Sequence, residues 1–219
     1  MSFRMLVLML LAGIASAQPA SDVTEDGLVR VPSSRKAGVY RLPDATFAQY
    51  RRVMLAPAPV TFHKNRDRMK AGALKPSDRE RISAELTRLF HEELVAELVE
   101  RGGFEIAESP APDVLQIAPS ILDVDMSAPD AGTSPGTSSF VRTAGSMTLI
   151  VELRDAASGV TIGRIIDYEK ARETTELQLA NQVTNSEEAR IAFANAARYT
   201  RSAVNIAKTE RDETTSAPR

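Results

Sequence analysis

The sequence predicts an α+β fold: a mixed, mainly antiparallel sheet of about five strands, in the order β-α-β-β-β-β-α, with two long helices packed on one face. Two observations support this prediction. Residues 145–169 alternate apolar and polar side chains around a short turn that ends in Gly159, which is the pattern of an antiparallel hairpin. Two other segments, one from Ser77 to the glycine pair at 102–103 and one at 186–208, repeat apolar residues at helical spacing.

A strand–helix–strand unit opens the predicted domain. Arg52–Ala56 is a short apolar run that prolines stop, which indicates a buried strand. Ser77 and Glu80 have the spacing of a capping box at the start of the first helix. A short strand, Phe104–Glu108, follows that helix. This order favours a right-handed crossover between two parallel strands.

The next strand is predicted at Val114–Met126. The parity of its apolar residues changes near Ile121, which indicates a bulge or bend. Pro119 predicts that the start of this strand lies towards a sheet edge, because proline donates no ladder hydrogen bond. Asp123 and Asp125 share one face of the strand, and we interpret them as its solvent side rather than as a catalytic carboxylate pair.

The register of the final hairpin stays open at this point. If Asp155 faces Val160, Ile166 and Tyr168 lie on the apolar face of the hairpin, whereas a slip of one residue reverses the faces. We interpret the charged residues of the second strand as its solvent-facing side, neutralised across the hairpin by Glu152 and Arg154. These charged residues are Arg164, Asp167, Glu169, Lys170 and Arg172.

An N-terminal signal for export is the most specific motif in the chain. One arginine precedes the apolar run Met5–Leu11, and small residues follow at Ala15 and Ala17. This order is typical of a secretory signal peptide at residues 1–17, cleaved between Ala17 and Gln18. The alternative, an uncleaved anchor helix, would need about 20 apolar residues. The prediction is a periplasmic or secreted protein of a Gram-negative-type bacterium, without a transmembrane segment in the mature chain.

Three segments follow the predicted signal. Residues 18–45 read as a flexible arm in which proline, serine and glycine mix with charges, although Gly38–Leu42 could pack on the domain surface. Residues 46–208 form the single predicted α+β domain. Residues 209–219 form a polar tail that we expect to be disordered.

Composition excludes several classes of function. The formal net charge of -2 gives no basic bias, which argues against a nucleic-acid partner. The chain contains no cysteine, which excludes disulfides, thiolate metal sites and a lipobox-type lipid anchor. His63 and His91 are the two histidines, and neither has a second ligand at metal-site spacing, so we predict no metal and no cofactor.

Two long loops, Pro59–Lys75 and Ser127–Thr143, are the predicted places for partner contact. Connections carry binding residues more often than the elements they join. The first loop is basic, and the second is rich in glycine, proline, serine and threonine. The candidate contact residues are His63, Lys64, Arg66, Arg68, Phe140 and Arg142.

Several strand and turn patterns are shared with a known family. They are Arg52–Pro57, Gly103–Ala107, Asp113–Pro119 with Leu122–Asp123, and Leu153–Gly159 followed by Ile162–Gly163. Together they resemble the bacterial envelope proteins grouped as domain of unknown function 3313. The resemblance implies a small α+β domain in an exported, often lipid-anchored protein without an established activity, but this chain lacks the cysteine for such an anchor. More distantly, the order of elements looks like the periplasmic domains of curli-secretion and Tol-type lipoproteins.

Three classes of function fit these observations. We favour a non-catalytic binding or assembly module of the cell envelope, whose partner is another envelope protein or a second copy of itself. A structural, homo-oligomer-forming envelope protein is the first alternative, with the alanine-rich last helix or an exposed strand as its contact surface. A hydrolytic enzyme is the second alternative, disfavoured because neither a G-x-S-x-G nor an S-x-x-K signature occurs.

Overall fold

The structure is a computed structural model that describes residues 22–32, 37–63, 76–126, 140–141, 145–170, 178–179 and 182–215. Its two helices are α1 (Pro76–Val95), which continues as a π-helical turn at Ala96–Glu100, and α2 (Gln182–Thr215). Its strands are β1 (Val29–Val31), β2 (Gly38–Arg41), β3 (Arg52–Leu55), β4 (Val60–Phe62), β5 (Glu105–Ile106), β6 (Val114–Met126), β7 (Phe140–Val141), β8 (Gly145–Asp155), β9 (Thr161–Lys170) and β10 (Gln178–Leu179).

Eight of these ten strands form one mixed sheet, which the two helices cover on one face. The strand order is β1-β2-β9-β8-β6-β3-β5, and β4 pairs with β6 beyond the end of β3. β7 and β10 form a separate antiparallel pair. The predicted α+β class is confirmed, with more strands than the expected five or so.

The parallel part of the sheet is built as the sequence predicts. β3 pairs in parallel with β5 on one side and with β6 on the other. α1 begins at Pro76, one residue before the expected cap Ser77. After the π-helical turn, Gly103 takes a φ of 71° and its N–H donates to the Val99 carbonyl at 3.1 Å, which ends the helix.

β6 lies in the middle of the sheet, so the edge position expected from Pro119 is wrong. Proline is tolerated here because its nitrogen faces the gap between β3 and β4. On one side of that gap, the Ala56 N–H donates to the Ile117 carbonyl at 2.9 Å. On the other side, the Ile121 N–H donates to the Pro59 carbonyl at 2.9 Å. Between these two bonds, no neighbouring strand requires an N–H from Pro119.

The β8–β9 hairpin contains a bulge close to its turn. The Asp155 N–H donates to the Val160 carbonyl at 2.9 Å, as the predicted register requires. Leu153, however, lies opposite Gly163. Ile162 is therefore an extra residue on β9, and from this point the register differs by one residue from the predicted one.

This bulge reverses the predicted faces of β9. Ile165 and Asp167 point to the helix-covered face and are only 1% and 4% exposed. Ile166 and Tyr168, which the predicted register assigns to that face, point to the other side. The interpretation of Asp167 as a solvent-facing charge is wrong, since inserting one residue into a strand exchanges its faces.

Residues within the predicted N-terminal arm form one edge of the sheet. β1 and β2 make an antiparallel hairpin, and β2 pairs with β9. Leu28, Ala37 and Tyr40 are buried in the folded domain. At the other end of the chain, α2 remains helical through Thr215, within the segment expected to be a tail. β1, β2 and the end of α2 therefore lie outside residues 46–208, the domain expected from the sequence.

The two helices pack on each other as well as on the sheet. The ring of Phe90 in α1 stacks on that of Phe193 in α2, with centroids 4.7 Å apart. Ala196 and Ala197 of α2 are fully buried, as the predicted alanine-rich stripe requires. Small side chains let α2 lie close to its neighbours. Large apolar residues of the sheet pack against it in the same core.

Candidate partner-binding site

Both predicted contact loops leave the sheet at the same end. Phe62, the last residue of β4, lies opposite Val124 near the end of β6. Met126, the last residue of β6, lies opposite Gly145, the first residue of β8. We call this region the loop end: it comprises the last residues of β4, β6 and β9 and the first residues of β8.

Two of the predicted contact residues lie in the described part of the chain. His63 directly follows β4 at the loop end and is exposed. Phe140 belongs to β7 and pairs with Leu179 of β10. The other predicted residues lie outside the described residues: Lys64, Arg66, Arg68, Arg142, and the predicted cleavage pair Ala17 and Gln18.

A bulge in β6 brings His63 beside Asp123. The register of β6 shifts between Leu122 and Asp125, close to the bend expected near Ile121. Asp123 takes a left-handed φ of 52°, and its carboxylate oxygen lies 3.9 Å from His63 Nδ1. Both side chains are exposed, so the contact stabilises the fold little and stays accessible to a partner. Within the described ranges, no three His, Cys, Asp or Glu side chains are grouped to hold a metal ion.

The sheet face opposite the helices, here called the open face, carries an apolar strip beside the loop end. Ile150 of β8 lies opposite Ile166 of β9. In the next row, Thr148 lies between Leu122 and Tyr168. Tyr168 is 66% exposed, the highest fraction among the large hydrophobic residues that the structure describes. Tyr168 is not among the contact residues predicted from the sequence, because the predicted register places this side chain on the buried face.

Further from the loop end, the open face carries a paired charge network. Arg164 Nη2 lies 2.7 Å from Glu152 Oε1 and 2.6 Å from Asp26 Oδ2, and Arg154 also contacts Glu152. Burial raises the pKa of Glu152, but hydrogen bonds from the two arginines outweigh it and hold the pKa below its ordinary value. The cross-strand neutralisation expected from the sequence is confirmed for Arg164, whereas Asp167 does not take part in it and Arg172 lies outside the described residues. These charges fix the β1 end of the chain to the sheet.

A groove lies on the helix-covered face between the β1–β2 edge and the second half of α2. Its volume is about 230 Å³, and its walls are largely apolar. Ligand pockets for cofactors and drug-sized molecules usually occupy about 300–1,000 Å³. The groove is thus smaller than a typical small-molecule site. Its walls include Val31, Val39, Phe47, Ile165, Tyr199 and Ile206.

The sequence profile of a family described as a protein of unknown function, DUF3313, matches residues 19–200. The chain belongs to this family. The match covers every described strand, α1 and the first part of α2. No curated protein matches the chain significantly. No helix within the described residues is both long and apolar enough to cross a membrane.

The chain also has low similarity to several solved structures. The PelC dodecamer from Paraburkholderia phytofirmans is 11% identical, with 73% of this chain and 96% of that chain covered and a TM-score of 0.40. A DUF330 protein from Xanthomonas campestris is 8% identical, with 78% and 92% covered and a TM-score of 0.43. A putative neuraminyllactose-binding hemagglutinin homolog from Helicobacter pylori is 12% identical, with 78% and 91% covered and a TM-score of 0.42.

Proposed function

We propose that this protein is an exported, non-catalytic module of the bacterial cell envelope that binds another envelope protein. The contact surface combines the loop end with the apolar strip of the open face. The observation that carries this proposal is the exposure of Tyr168 on the same sheet face as Leu122, Ile150 and Ile166, at the end of the sheet where both long loops begin. Exposed aromatic residues within apolar patches are typical centres of protein–protein contact.

The charges of the first loop indicate the chemistry of the partner. Between His63 and α1 the sequence contains Lys64, Arg66, Arg68, Lys70 and Lys75 against a single acidic residue, Asp67. A basic segment that follows β4 in the sequence suits a partner with acidic side chains, since complementary charge speeds association and suppresses wrong partners. The partner is therefore expected to present acidic side chains.

A photo-cross-linking experiment in cells tests this surface. A photoreactive phenylalanine analogue replaces Tyr168 at the loop end or, as the matched control, Val160, which directly precedes the other end of β9 and is 50% exposed. We expect a specific adduct with another envelope protein from position 168 and none from position 160. Neutralising Lys64, Arg66 and Arg68 together should weaken that adduct. The same adduct from both positions, or none from position 168, contradicts the proposed surface.

A second copy of this chain is the alternative partner for the same surface. An adduct at twice the mass of the chain from position 168, together with a concentration-dependent mass in ultracentrifugation, would favour the homo-oligomer. In that case, Tyr168→Ala is expected to return the chain to a monomer without unfolding it, because the side chain is largely exposed. A monomer at all concentrations rejects this alternative.

Export is tested separately from binding. The signal-like residues 1–17 support a mature chain that begins at Gln18, released into the periplasm or secreted. Mass spectrometry of fractionated cells should find the mature N-terminus at Gln18 outside the cytoplasm. An intact Met1 terminus on a cytoplasmic protein contradicts this part of the proposal.

A further inference from the structure

Asp167 is an unusual residue for the core of this domain. It is 4% exposed, and its Oδ2 atom has no hydrogen-bond partner. It lies in a row of buried side chains that crosses the sheet. On one side of Asp167 is Ala37, which continues the β2 register, and on the other side is Leu149 of β8. Ile121 of β6 lies opposite Leu149 and is the next residue of the row. A carboxylate with an unpartnered oxygen in apolar surroundings costs free energy when it is ionised.

Three arginines on α2 and β9 that the structure describes form ion pairs with other carboxylates. From α2, which covers the row, Arg190 binds Glu92 and Glu93 of α1, and Arg201 binds Glu97. On β9 itself, Arg164 points to the open face and binds Glu152 and Asp26. Among the described side chains, none forms an ion pair with Asp167. Glu169 lies two residues further along the same face of β9, within reach of a hydrogen bond that acts on the pKa of Asp167.

We propose that Asp167 and Glu169 form an acid pair that holds one shared proton and acts as a pH-sensitive latch on the end of β9. While the proton is present, the two carboxyl groups bond to each other and the row stays packed. Loss of the proton leaves an ionised carboxylate in the core, two residues from Glu169 on the same strand face. β9 then separates more readily from β8 at the loop end, because Asp167 lies only three residues before Lys170, the last residue of β9.

The pKa of Asp167 determines whether the stability of the fold rises or falls with pH. Burial raises the pKa of Asp167, and the hydrogen bond with Glu169 acts in the opposite direction without cancelling it. A folded-state pKa above the unfolded value of a carboxyl group means that the folded chain retains the proton at higher pH. The stability contribution is therefore complete below the ordinary aspartate pKa and is lost as the pH rises through the raised one.

Thermal and urea unfolding of the mature chain between about pH 4 and about pH 8 test the latch. Asp167→Asn keeps the shape of the protonated side chain and cannot ionise. Relative to this variant, the folding equilibrium constant of the wild type should fall with rising pH, by up to about tenfold per pH unit. Asp44→Asn, which changes an exposed carboxylate, should follow the wild-type profile and serves as the control. A constant difference between the wild type and Asp167→Asn across this range overturns the proposal.

A titration of the wild-type side chain provides a readout that does not depend on the stability of a variant. The carboxyl-carbon NMR signal of Asp167, assigned by its disappearance in Asp167→Asn, should titrate above the ordinary aspartate range and in two steps, since coupled groups share macroscopic pKa values. Glu169→Gln should reduce this to one step. Titration of Asp167 in one step within the ordinary range overturns the acid pair. The latch does not rest on the proposed partner, so these outcomes are separate from the cross-linking result.

Discussion

Two buried carboxylates, Glu97 and Asp167, are accommodated in opposite ways. Glu97 receives hydrogen bonds from Arg101 at 2.7 Å and Arg201 at 2.8 Å. Burial raises its pKa, but the two arginines outweigh burial and hold the pKa below its ordinary value. Glu97 therefore stabilises the fold above the ordinary glutamate pKa, and this contribution is lost as the pH falls through the lowered one. Asp167 has the opposite dependence because no described cation compensates it.

The pairing of Glu97 predicts an asymmetry between two arginines. Arg201→Ala leaves the buried Glu97 with only the exposed Arg101, so the free energy of unfolding should fall by about 2–3 kcal/mol. Arg88→Ala removes contacts to Glu85 and Glu92 on the surface of α1 and should change stability little, because solvent screens exposed pairs. Urea unfolding of both variants at neutral pH provides the comparison. Equal losses would mean that Glu97 does not depend on its link to α2.

At the scale of elements, the bulge at Ile162 decides which residues of β9 are buried. Strand periodicity in the sequence identified both strands of the hairpin and the turn between them. It could not locate the bulge, because the strand that pairs with β9 at this point, β2, is distant in the sequence. Gly163 fits this position: a Cβ atom there would lie 3.2 Å from Leu153 Cδ1 and 3.5 Å from Phe47 Cζ.

Truncating adjacent isoleucines tests this register. Ile165→Ala removes a side chain that is 1% exposed and should lower the free energy of unfolding by about 2–4 kcal/mol, as large-to-small core substitutions do. Ile166→Ala on the open face should cost markedly less. The register without a bulge predicts the reverse order. Chemical denaturation of the two variants under identical conditions distinguishes the registers directly.

The same bulge explains why the candidate site was only partly predictable. The two loops could be identified from composition, and pairing of Phe62 with Val124 brings their starting points together. Tyr168 and Asp167 were missed, because each was assigned to the wrong face of β9. Both errors follow from one inserted residue, so the sequence pattern described the strand correctly and its sidedness incorrectly.

At the scale of the whole molecule, the N-terminal hairpin completes the sheet. β1 and β2 are only three and four residues long and are separated from the main strands by a turn and charged residues, so their pattern resembles a linker. They are recognised as strands only in the structure, where β2 pairs with β9. Once formed, the hairpin buries Leu28 and Tyr40 and adds the Asp26–Arg164 ion pair on the open face.

The extent of the domain gives the last prediction. A chain that starts at residue 46 lacks β1 and β2, so it loses the buried Leu28 and Tyr40 and leaves β9 as an open strand edge. We expect a clear fall in melting temperature relative to the chain that starts at residue 18, together with self-association, because exposed edges pair with other chains.

A chain that lacks residues 216–219, beyond the described part of α2, is the control for shortening. Its melting temperature should equal that of the full mature chain. Calorimetry and light scattering of the three chains measure both effects. If the chain that starts at residue 46 melts like the longer chains and stays monomeric, residues 18–45 are the dispensable arm that the sequence pattern indicates. If it melts earlier, the hairpin is part of the cooperative unit, because removing it exposes apolar side chains that no other described element can cover.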